Sequence, residues 1–486
     1  MNQTRKMKRS WVILLVGLFA LQASLSHAQT AKTEFVQDFE LTLDEAIEIA
    51  VANNPQVNRA LLSVDDADEL VKIAYSEIFP EITSSISYTR NMEIPVTFVP
   101  GEFFGGDPGT LIPVEFGTDN NWQGGFTVNQ TLFRGETIVG LSSATVFKTV
   151  QDENLRATTQ QVVTQTRVAY YQVLAALEQL RLQEIQIERL EQNLRENEAR
   201  EEAGLVDSYA TLSLRVQLSN QRPQQIEAAY AVNEAYRVLK ITLGVPLQLD
   251  FEVKGDLNEY DILSTSAAGS DNDHIFRIDQ MNAYTYENQQ VDTAGLDYNR
   301  GDLRVLDATL DLRAKELTAV KSRFLPTLSA TYNLQWSSAE PDAPNFFENS
   351  ERFQTLGFNL SLPLFQGFER VADVQRVKIQ QKDLQEQRRA AILNAQNEII
   401  SASEDLNRAF ETAEGRKIAL EQATEGYDRA QKRLENGLGS QLEVTDAEVQ
   451  VRQAELNYAL MVFEYLSAKA TYDLATGRVP YVDIEF

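Results

Sequence analysis

Two stretches of this sequence, from Thr137 to Ala203 and from Arg370 to Asn436, contain almost no glycine or proline. Glycine and proline are the residues that interrupt helices, so each stretch predicts one unbroken helix. At about 1.5 Å per residue, such a helix extends on the order of 100 Å. Helices of compact globular domains are much shorter on average. The sequence therefore predicts an elongated, mainly helical structure.

In both stretches apolar residues recur every seven positions, which is the period of coiled coils. They are Val173, Leu180, Ile187 and Leu194 in the first stretch, and Ile392, Ile399, Leu406, Ala413 and Leu420 in the second. The residues between them are mostly polar, and frequent alanines such as Ala395 and Ala402 allow neighbouring helices to approach closely. A solitary rod-like coiled coil has the same pattern, so the helices alone do not specify a channel.

The sequence also repeats itself once, with an offset of about 233 to 246 residues. Four glycine or proline sites that end helices or strands recur in the same order in both halves. The pairs are Pro80 and Pro326, Gly135 and Gly367, Gly204 and Gly437, and Pro246 and Pro480. Each half reads as a helix, two strands, a very long helix, a tight turn and another long helix. The sequence thus predicts one structural unit that is built twice.

The predicted strands alternate apolar residues with small, polar, uncharged ones. The apolar positions are Ile82, Ile86 and Tyr88; Phe126, Val128 and Leu132; Leu328, Ala330, Tyr332, Leu334 and Trp336; and Leu356, Phe358, Leu360 and Leu362. About ten such residues span a bilayer, and an apolar outside with a polar inside is typical of transmembrane barrels. Tyr332 and Trp336 suit an aromatic girdle at the membrane interface. A soluble sheet packed on one face has the same period.

Four strands are too few to close a barrel around a passage, since small closed barrels contain about eight. Several chains would have to contribute strands. The segments that join the strands of each pair, residues 91–120 in the first half and the segment with Pro341 and Pro344 in the second, are rich in proline or glycine. They predict turn-rich loops that face outward.

The first 28 residues predict a secretory signal peptide, because a basic start is followed by an apolar run from Trp11 to Leu25 and a small-residue site ending at Ala28. No later run has the roughly 18 apolar residues of a membrane helix. The chain has no cysteine, and its histidines are His27 and His274, the latter in a polar loop segment. We therefore expect no disulfide, no metal site and no cofactor. The formal net charge of -27 argues against a nucleic-acid partner.

These features predict five segments. They are a signal peptide at 1–28; a first structural repeat at 29–250 with strands at about 81–133 and a helical hairpin at about 137–243; an equatorial connector at 251–285; a second repeat at 286–479 with strands at about 327–365 and a helical hairpin at about 370–476; and a C-terminal tail at 480–486.

The arrangement resembles the TolC family of outer-membrane efflux proteins. The residues that carry the resemblance are the opening Leu41 to Ala46, the helix-to-strand boundaries at Pro80 and Pro326, and the tight turns Gly204, Leu205, Val206 and Gly437, Leu438, Gly439. The resemblance implies a homotrimer with a 12-stranded transmembrane β-barrel in the outer-membrane lipid and a coiled-coil α-helical barrel across the periplasm. It also implies a periplasmic adaptor (membrane fusion protein) and an inner-membrane pump as partners, with the two turns as adaptor-docking tips that close the resting channel.

Two acidic residues follow the second turn. By resemblance, Glu443 and Asp446 correspond to a ring of carboxylates that lines the periplasmic gate and sets its selectivity, although the first acid is Glu here and has a longer side chain. The alternative is local: Ser440 and Glu443 have the spacing of a capping box, and an acid such as Asp446 is favourable in the first turn of a helix. The sequence leaves both interpretations open.

The leading functional hypothesis is a passive export duct, which works with a separate pump to expel drugs or other small molecules. Type I secretion of a polypeptide is the variant of this hypothesis. No nucleotide-binding loop of the G-x-x-x-x-G-K-[ST] kind is present, and we expect no enzyme. A periplasmic coiled-coil scaffold or adaptor leaves the four amphipathic strands unexplained. A carboxylate-based glycosidase has the acidic residues it needs but no pocket-forming pattern.

Overall fold

The computed structural model describes residues 40–105, 107–257, 260, 262, 300–341 and 350–479. The predicted signal peptide, His274, most of the predicted connector and the tail at 480–486 lie outside these residues. The chain divides into two compact units. The first unit comprises Met1–Leu41 and Gln248–Glu252, and it contains strand β1 (Glu40–Leu41). The second unit comprises Thr42–Leu247 and Val253–Phe486.

The remaining elements follow the predicted order of two similar repeats. In chain order they are α1 (Leu43–Asn53), α2 (Pro55–Ser76), β2 (Glu81–Arg90), β3 (Val96–Pro100), β4 (Leu111–Glu115), β5 (Asn120–Phe133), α3 (Gly135–Glu202), α4 (Ser208–Leu243), β6 (Glu252–Val253), α5 (Gly301–Ser322), β7 (Thr327–Glu340), β8 (Glu351–Ser361), α6 (Glu369–Glu435) and α7 (Gln441–Ala475).

The two long helices are confirmed. Helix α3 has 68 residues and α6 has 67, and each begins within two residues of the predicted start. The buried positions of α6 are spaced alternately by four and three residues, which is the coiled-coil spacing. This spacing holds for Ala395, Ile399, Ala402, Leu406, Ala409 and Ala413, while Val377 and Leu384 are buried nearer the start of the helix. Each long helix packs against the second helix of its own hairpin, and α3 also packs against α7 of the other hairpin.

Strands β2, β5, β7 and β8 form one antiparallel sheet in the order β2-β5-β7-β8, so the central β5–β7 pair joins the two repeats. The register places Val128, Tyr332 and Leu356 opposite one another, and Thr127, Asn333 and Thr355 form the next row. Because side chains alternate along a strand, one row lies on each face. The predicted mainly helical fold with a four-stranded sheet is confirmed. Within the sheet, the apolar row and the small, polar row lie on opposite faces, as the alternation predicts.

The segment between residues 91 and 120 differs from the predicted loop. It contains a second antiparallel pair, β3 with β4, and a one-turn 3₁₀ helix at Gly101–Phe104. Both strands are short and contain β-branched residues, which favour extended structure although Pro100 ends β3 and Pro113 lies within β4. Among the described residues, no helix combines the length and the apolar character needed to cross a membrane.

Candidate functional site

The first helical tip is a tight reversal between α3 and α4. The amide of Gly204 donates to the carbonyl of Glu201 at 2.9 Å, and the amide of Leu205 donates to the carbonyl of Arg200 at 2.8 Å. This pair of hydrogen bonds is a Schellman motif, which satisfies carbonyls that the end of a helix would otherwise leave without a donor.

The second tip repeats the same motif between α6 and α7. The amide of Gly437 donates to the carbonyl of Leu434 at 3.0 Å, and the amide of Leu438 donates to the carbonyl of Arg433 at 2.8 Å. The two repeats of the chain therefore end in turns with equivalent hydrogen bonding.

Glycine is favoured at these turns for two different reasons. Gly204 and Gly437 have φ angles of 71° and 70°, a left-handed conformation that is costly for other residues. Gly439 has an ordinary φ, but a β-carbon there would lie 3.1 Å from both the Arg433 Cβ and the Leu434 nitrogen. The sequence prediction of two glycine-dependent reversals matches this geometry.

Each tip presents one leucine to solvent. Leu205 is 75% exposed and Leu438 is 74% exposed, whereas Val206 is half-buried. Exposed leucines beside the polar helix ends give both tips a small apolar contact surface. Adaptor docking at these residues stays a prediction.

The acidic residues after the second tip separate into two situations. Ser440 caps α7, since its Oγ accepts a hydrogen bond from the Glu443 amide at 3.3 Å. The Glu443 carboxylate lies 3.8 Å from the Arg433 Nη2, and among the described residues it does not return a bond to Ser440. The structure therefore contains one half of the capping box, and Glu443 contacts α6 across the turn instead.

Asp446 lies one turn further along α7, on the exposed side of the helix. Its carboxylate makes no ion pair or hydrogen bond with any other residue that the structure describes. Asp446 is thus the acid at this tip that has no intramolecular partner there. The predicted ring of carboxylates requires neighbouring chains, and it stays a prediction.

The polar face of the sheet carries hydrogen bonds between side chains of adjacent strands. The Thr127 hydroxyl donates to Asn333 Oδ1 at 2.9 Å, and Asn333 Nδ2 donates to the Thr355 hydroxyl at 3.3 Å. The next row contains a bond from the Thr331 hydroxyl to Asn129 Oδ1 at 3.1 Å. These bonds join β5, β7 and β8 through uncharged groups. This row of side chains can therefore hydrogen-bond to water without creating a strong electrostatic field.

The predicted girdle residues lie on the opposite, apolar face. Tyr332 is exposed and Trp336 is half-buried. The Trp336 ring meets the Phe126 ring edge to face, with 6.4 Å between centroids, a favourable aromatic geometry. Their role as membrane anchors stays a prediction.

A buried ionic cluster joins the two helical hairpins, and the sequence analysis did not identify it. Arg167 of α3 donates from Nη1 to Asp473 Oδ2 at 2.8 Å, and Lys469 of α7 donates from Nζ to Asp473 Oδ1 at 2.9 Å. All three side chains are buried. Burial lowers the pKa of the Lys469 ammonium, and Asp473 offsets only part of that effect. One carboxylate thus holds two cations at the contact between α3 and α7.

The sequence did contain a signal for charged groups inside this contact. Glu448, Glu455 and Lys469 lie on one seven-residue stripe of α7 that also contains the buried Val462. A charged residue that shares a heptad position with a buried apolar one faces the same neighbour. The pairing of Asp473 with Arg167, 306 residues away in the other repeat, cannot be predicted from this spacing.

In the part of the chain that the structure describes, no group of three or more His, Asp or Glu side chains has the arrangement of a metal site. The buried Arg167 and Asp473 connect two helices instead.

The outer membrane efflux protein family model matches residues 46–245 and 296–478. Outer membrane protein TolC of Salmonella enteritidis is 21% identical over 89% of this chain and 81% of its own length. Alkaline protease secretion protein AprF of Pseudomonas aeruginosa is 21% identical over 92% of this chain and 86% of its own. The open-state structure of the Neisseria gonorrhoeae MtrE outer membrane channel superposes with a TM-score of 0.69 at 15% identity, over 91% of each chain.

The family match covers both repeats and therefore most of the chain. It decides against the periplasmic scaffold and the glycosidase, the two other classes that the sequence left open. The protein is a transport channel of the outer membrane that extends into the periplasm, and it is not an enzyme. With both repeats matched, the chain belongs to the outer membrane efflux protein family.

Proposed function

We propose that three copies of this chain form a passive duct, through which an inner-membrane pump expels small molecules with the help of a periplasmic adaptor. The observation that carries the proposal is the sheet β2-β5-β7-β8, which has a strand at each end with no further partner among the described residues. One chain therefore supplies a segment of a larger sheet.

Open strand edges are costly in lipid, because their N–H and C=O groups find no water there. If β8 of one chain pairs with β2 of the next, three copies join into a closed sheet of 12 strands, four from each. The apolar residues of each strand then contact lipid, and the Thr127 and Asn333 row lines the passage. Such a lining is wet and uncharged, which suits a duct that passes varied cargo.

The helical hairpins supply the periplasmic part of the proposed duct. Helices α3 and α6 each extend on the order of 100 Å at about 1.5 Å per residue. The exposed leucines of the tips, Leu205 and Leu438, are the surfaces proposed to meet the adaptor. Asp446 and Glu443 are proposed to face the axis at the tip, where three copies would concentrate negative charge.

A polypeptide is the second candidate cargo, and it is favoured by the match to AprF, whose name describes secretion of an alkaline protease. Deleting the chromosomal copy separates the two candidates. Loss of drug resistance with normal secretion supports small-molecule efflux, whereas loss of one secreted protein with normal drug resistance supports the polypeptide.

The proposal is tested by the mass and conductance of the mature protein in mild detergent. We expect a trimer by native mass spectrometry, and discrete current steps after insertion into planar bilayers. A stable monomer that carries no current would refute the duct. Because the chain has no cysteine, single cysteines at Leu205 and Leu438 also allow crosslinking in cells to identify the adaptor.

A further inference from the structure

Glu448 is the most deeply buried acid of the second hairpin in the described part of the chain. It is 1% exposed and lies on α7, two turns past the Ser440 cap. Neither carboxylate oxygen accepts a hydrogen bond from any residue that the structure describes. A buried carboxylate without hydrogen bonds is costly when ionised.

The charged or titratable groups that face Glu448 come from three helices. They are Arg189 of α3, Tyr427 of α6 and Arg452 of α7. Within the described residues, neither arginine forms an ion pair with Glu448. The Arg452 Nη1 donates instead to Gln221 of α4 at 2.8 Å, and it is held away from the carboxylate by that bond.

Burial therefore raises the pKa of Glu448, and the charges of Arg189 and Arg452 offset only part of the effect. The packed helices favour the protonated, neutral acid. Two movements would relieve an ionised Glu448: exposure to water, or rearrangement toward an arginine. Exposure to water requires α7 to shift, because Glu448 is buried. Rearrangement toward Arg452, one turn further along the same helix, requires that arginine to release Gln221 of α4. Either movement loosens α7 from the first hairpin.

We propose that Glu448 is a proton-operated latch between α7 and the first hairpin, and that its ionisation releases the tip half of α7 from α3. The proposal rests on the duct function proposed above, since release of α7 is taken to open the periplasmic end. Asp473 lies 25 residues further along α7, about 38 Å along the helix axis. There the carboxylate bonds both cations, so that end stays attached.

The direction of the pH effect follows from which state holds the proton more tightly. Packed α7 is fully favoured below the ordinary glutamate pKa of 4.5. The free-energy preference for packed over released α7 falls as the pH rises from that value through the raised pKa of buried Glu448. Within this window, each pH unit changes the ratio of packed to released α7 by up to about tenfold.

The test combines conductance with a distance that does not depend on conductance. In the full-length protein in bilayers, we expect the open fraction to rise with pH for wild type. In Glu448→Gln, which mimics the protonated acid, the open fraction should stay at its low-pH value throughout. Glu414→Gln on α6 removes an exposed carboxylate and should keep the wild-type pH response.

Spin labels at Glu188→Cys of α3 and Gln450→Cys of α7, both exposed sites, report the distance between the helices. We expect it to lengthen with rising pH, and not in the Glu448→Gln background. An unchanged pH response in Glu448→Gln, or label distances that do not vary with pH, overturns the latch. Distances that vary while no current flows at any pH support the latch and refute the duct instead.

Discussion

Arg167 of α3 and Asp473 of α7 form a salt bridge of 2.8 Å between side chains that are 1% and 8% exposed. Such a pair tolerates the loss of neither partner, because the remaining charge stays in the interior. Replacing Asp473 with Asn leaves both Arg167 and Lys469 without their carboxylate. We expect a loss of about 3–5 kcal/mol of stability, the usual cost of breaking a buried ion pair, measured by equilibrium unfolding in detergent.

The matched control is Glu425→Gln, which breaks an exposed ion pair with Arg429 on α6. Exposed pairs contribute about 0–1 kcal/mol, so this variant should unfold close to wild type. Equal effects of the two substitutions would mean that the buried cluster does not hold the hairpins together.

Alanine at Gly437 should weaken the second tip. Its φ of 70° places the residue in the left-handed region, which costs an L-residue about 1–2 kcal/mol. Gly415 lies within α6 with open space around its α-carbon, so alanine there should stabilise the helix by about 0.5–1 kcal/mol. The two variants, Gly437→Ala and Gly415→Ala, should therefore shift the free energy of unfolding in opposite directions when they are measured side by side.

Two glycines on the polar face of the sheet differ in the space around them. A β-carbon at Gly125 would lie 2.4 Å from the Leu334 carbonyl oxygen, whereas one at Gly357 would meet no atom within 4 Å. Gly125→Ala should force β5 away from β7 and reduce the amount of folded protein in the membrane fraction. Gly357→Ala should insert normally, and a normal yield for both would contradict the described strand pairing.

The tips offer a test of partner docking. Replacing Leu205 and Leu438 together with Asp places charge at both exposed apolar sites, and we expect export to stop while trimers remain in the membrane. The double Met variant keeps apolar contacts at the same sites and should still export. Export that continues in the Asp variant would rule out these leucines as docking residues.

Asp446 and Glu443 should not be equivalent at the tip. Because Glu443 lies near Arg433, Asp446→Asn is expected to remove more of the field that attracts cations. A trivalent cation added from the periplasmic side should block wild-type current, and Asp446→Asn should weaken the block about tenfold, equivalent to about 1.4 kcal/mol. Glu443→Gln should change it less. Equal block in all three proteins would leave these acids with a role in helix initiation alone.

The features predicted well from sequence are those set by local chemistry. Pro80 and Pro326 mark the ends of helices, and Gly204 and Gly437 mark the tips, because each imposes its conformation on its own neighbours. The period of two in β7 assigned its faces correctly, because register follows the buried side.

The features that the sequence did not predict depend on how helices rotate against each other. Glu448 shares a heptad stripe with the buried Val462, but that stripe does not indicate that its carboxylate accepts no hydrogen bond from the described residues. Arg167 and Asp473 come from different repeats, so no local pattern pairs them. The β3–β4 pair was hidden by its prolines and glycines, which are typical of loops.

The outer edges of strands β2 and β8, which have no partner strand among the described residues, also have a consequence for biogenesis. If chains complete their sheets only by meeting one another, then sheet closure depends on chain concentration, whereas the helical hairpins form within each chain. A newly exported chain therefore keeps two open strand edges, which can pair with other proteins in a crowded compartment, until it meets other copies. Slow expression lengthens that wait, so a periplasmic chaperone that covers strand edges should matter most when the protein is scarce.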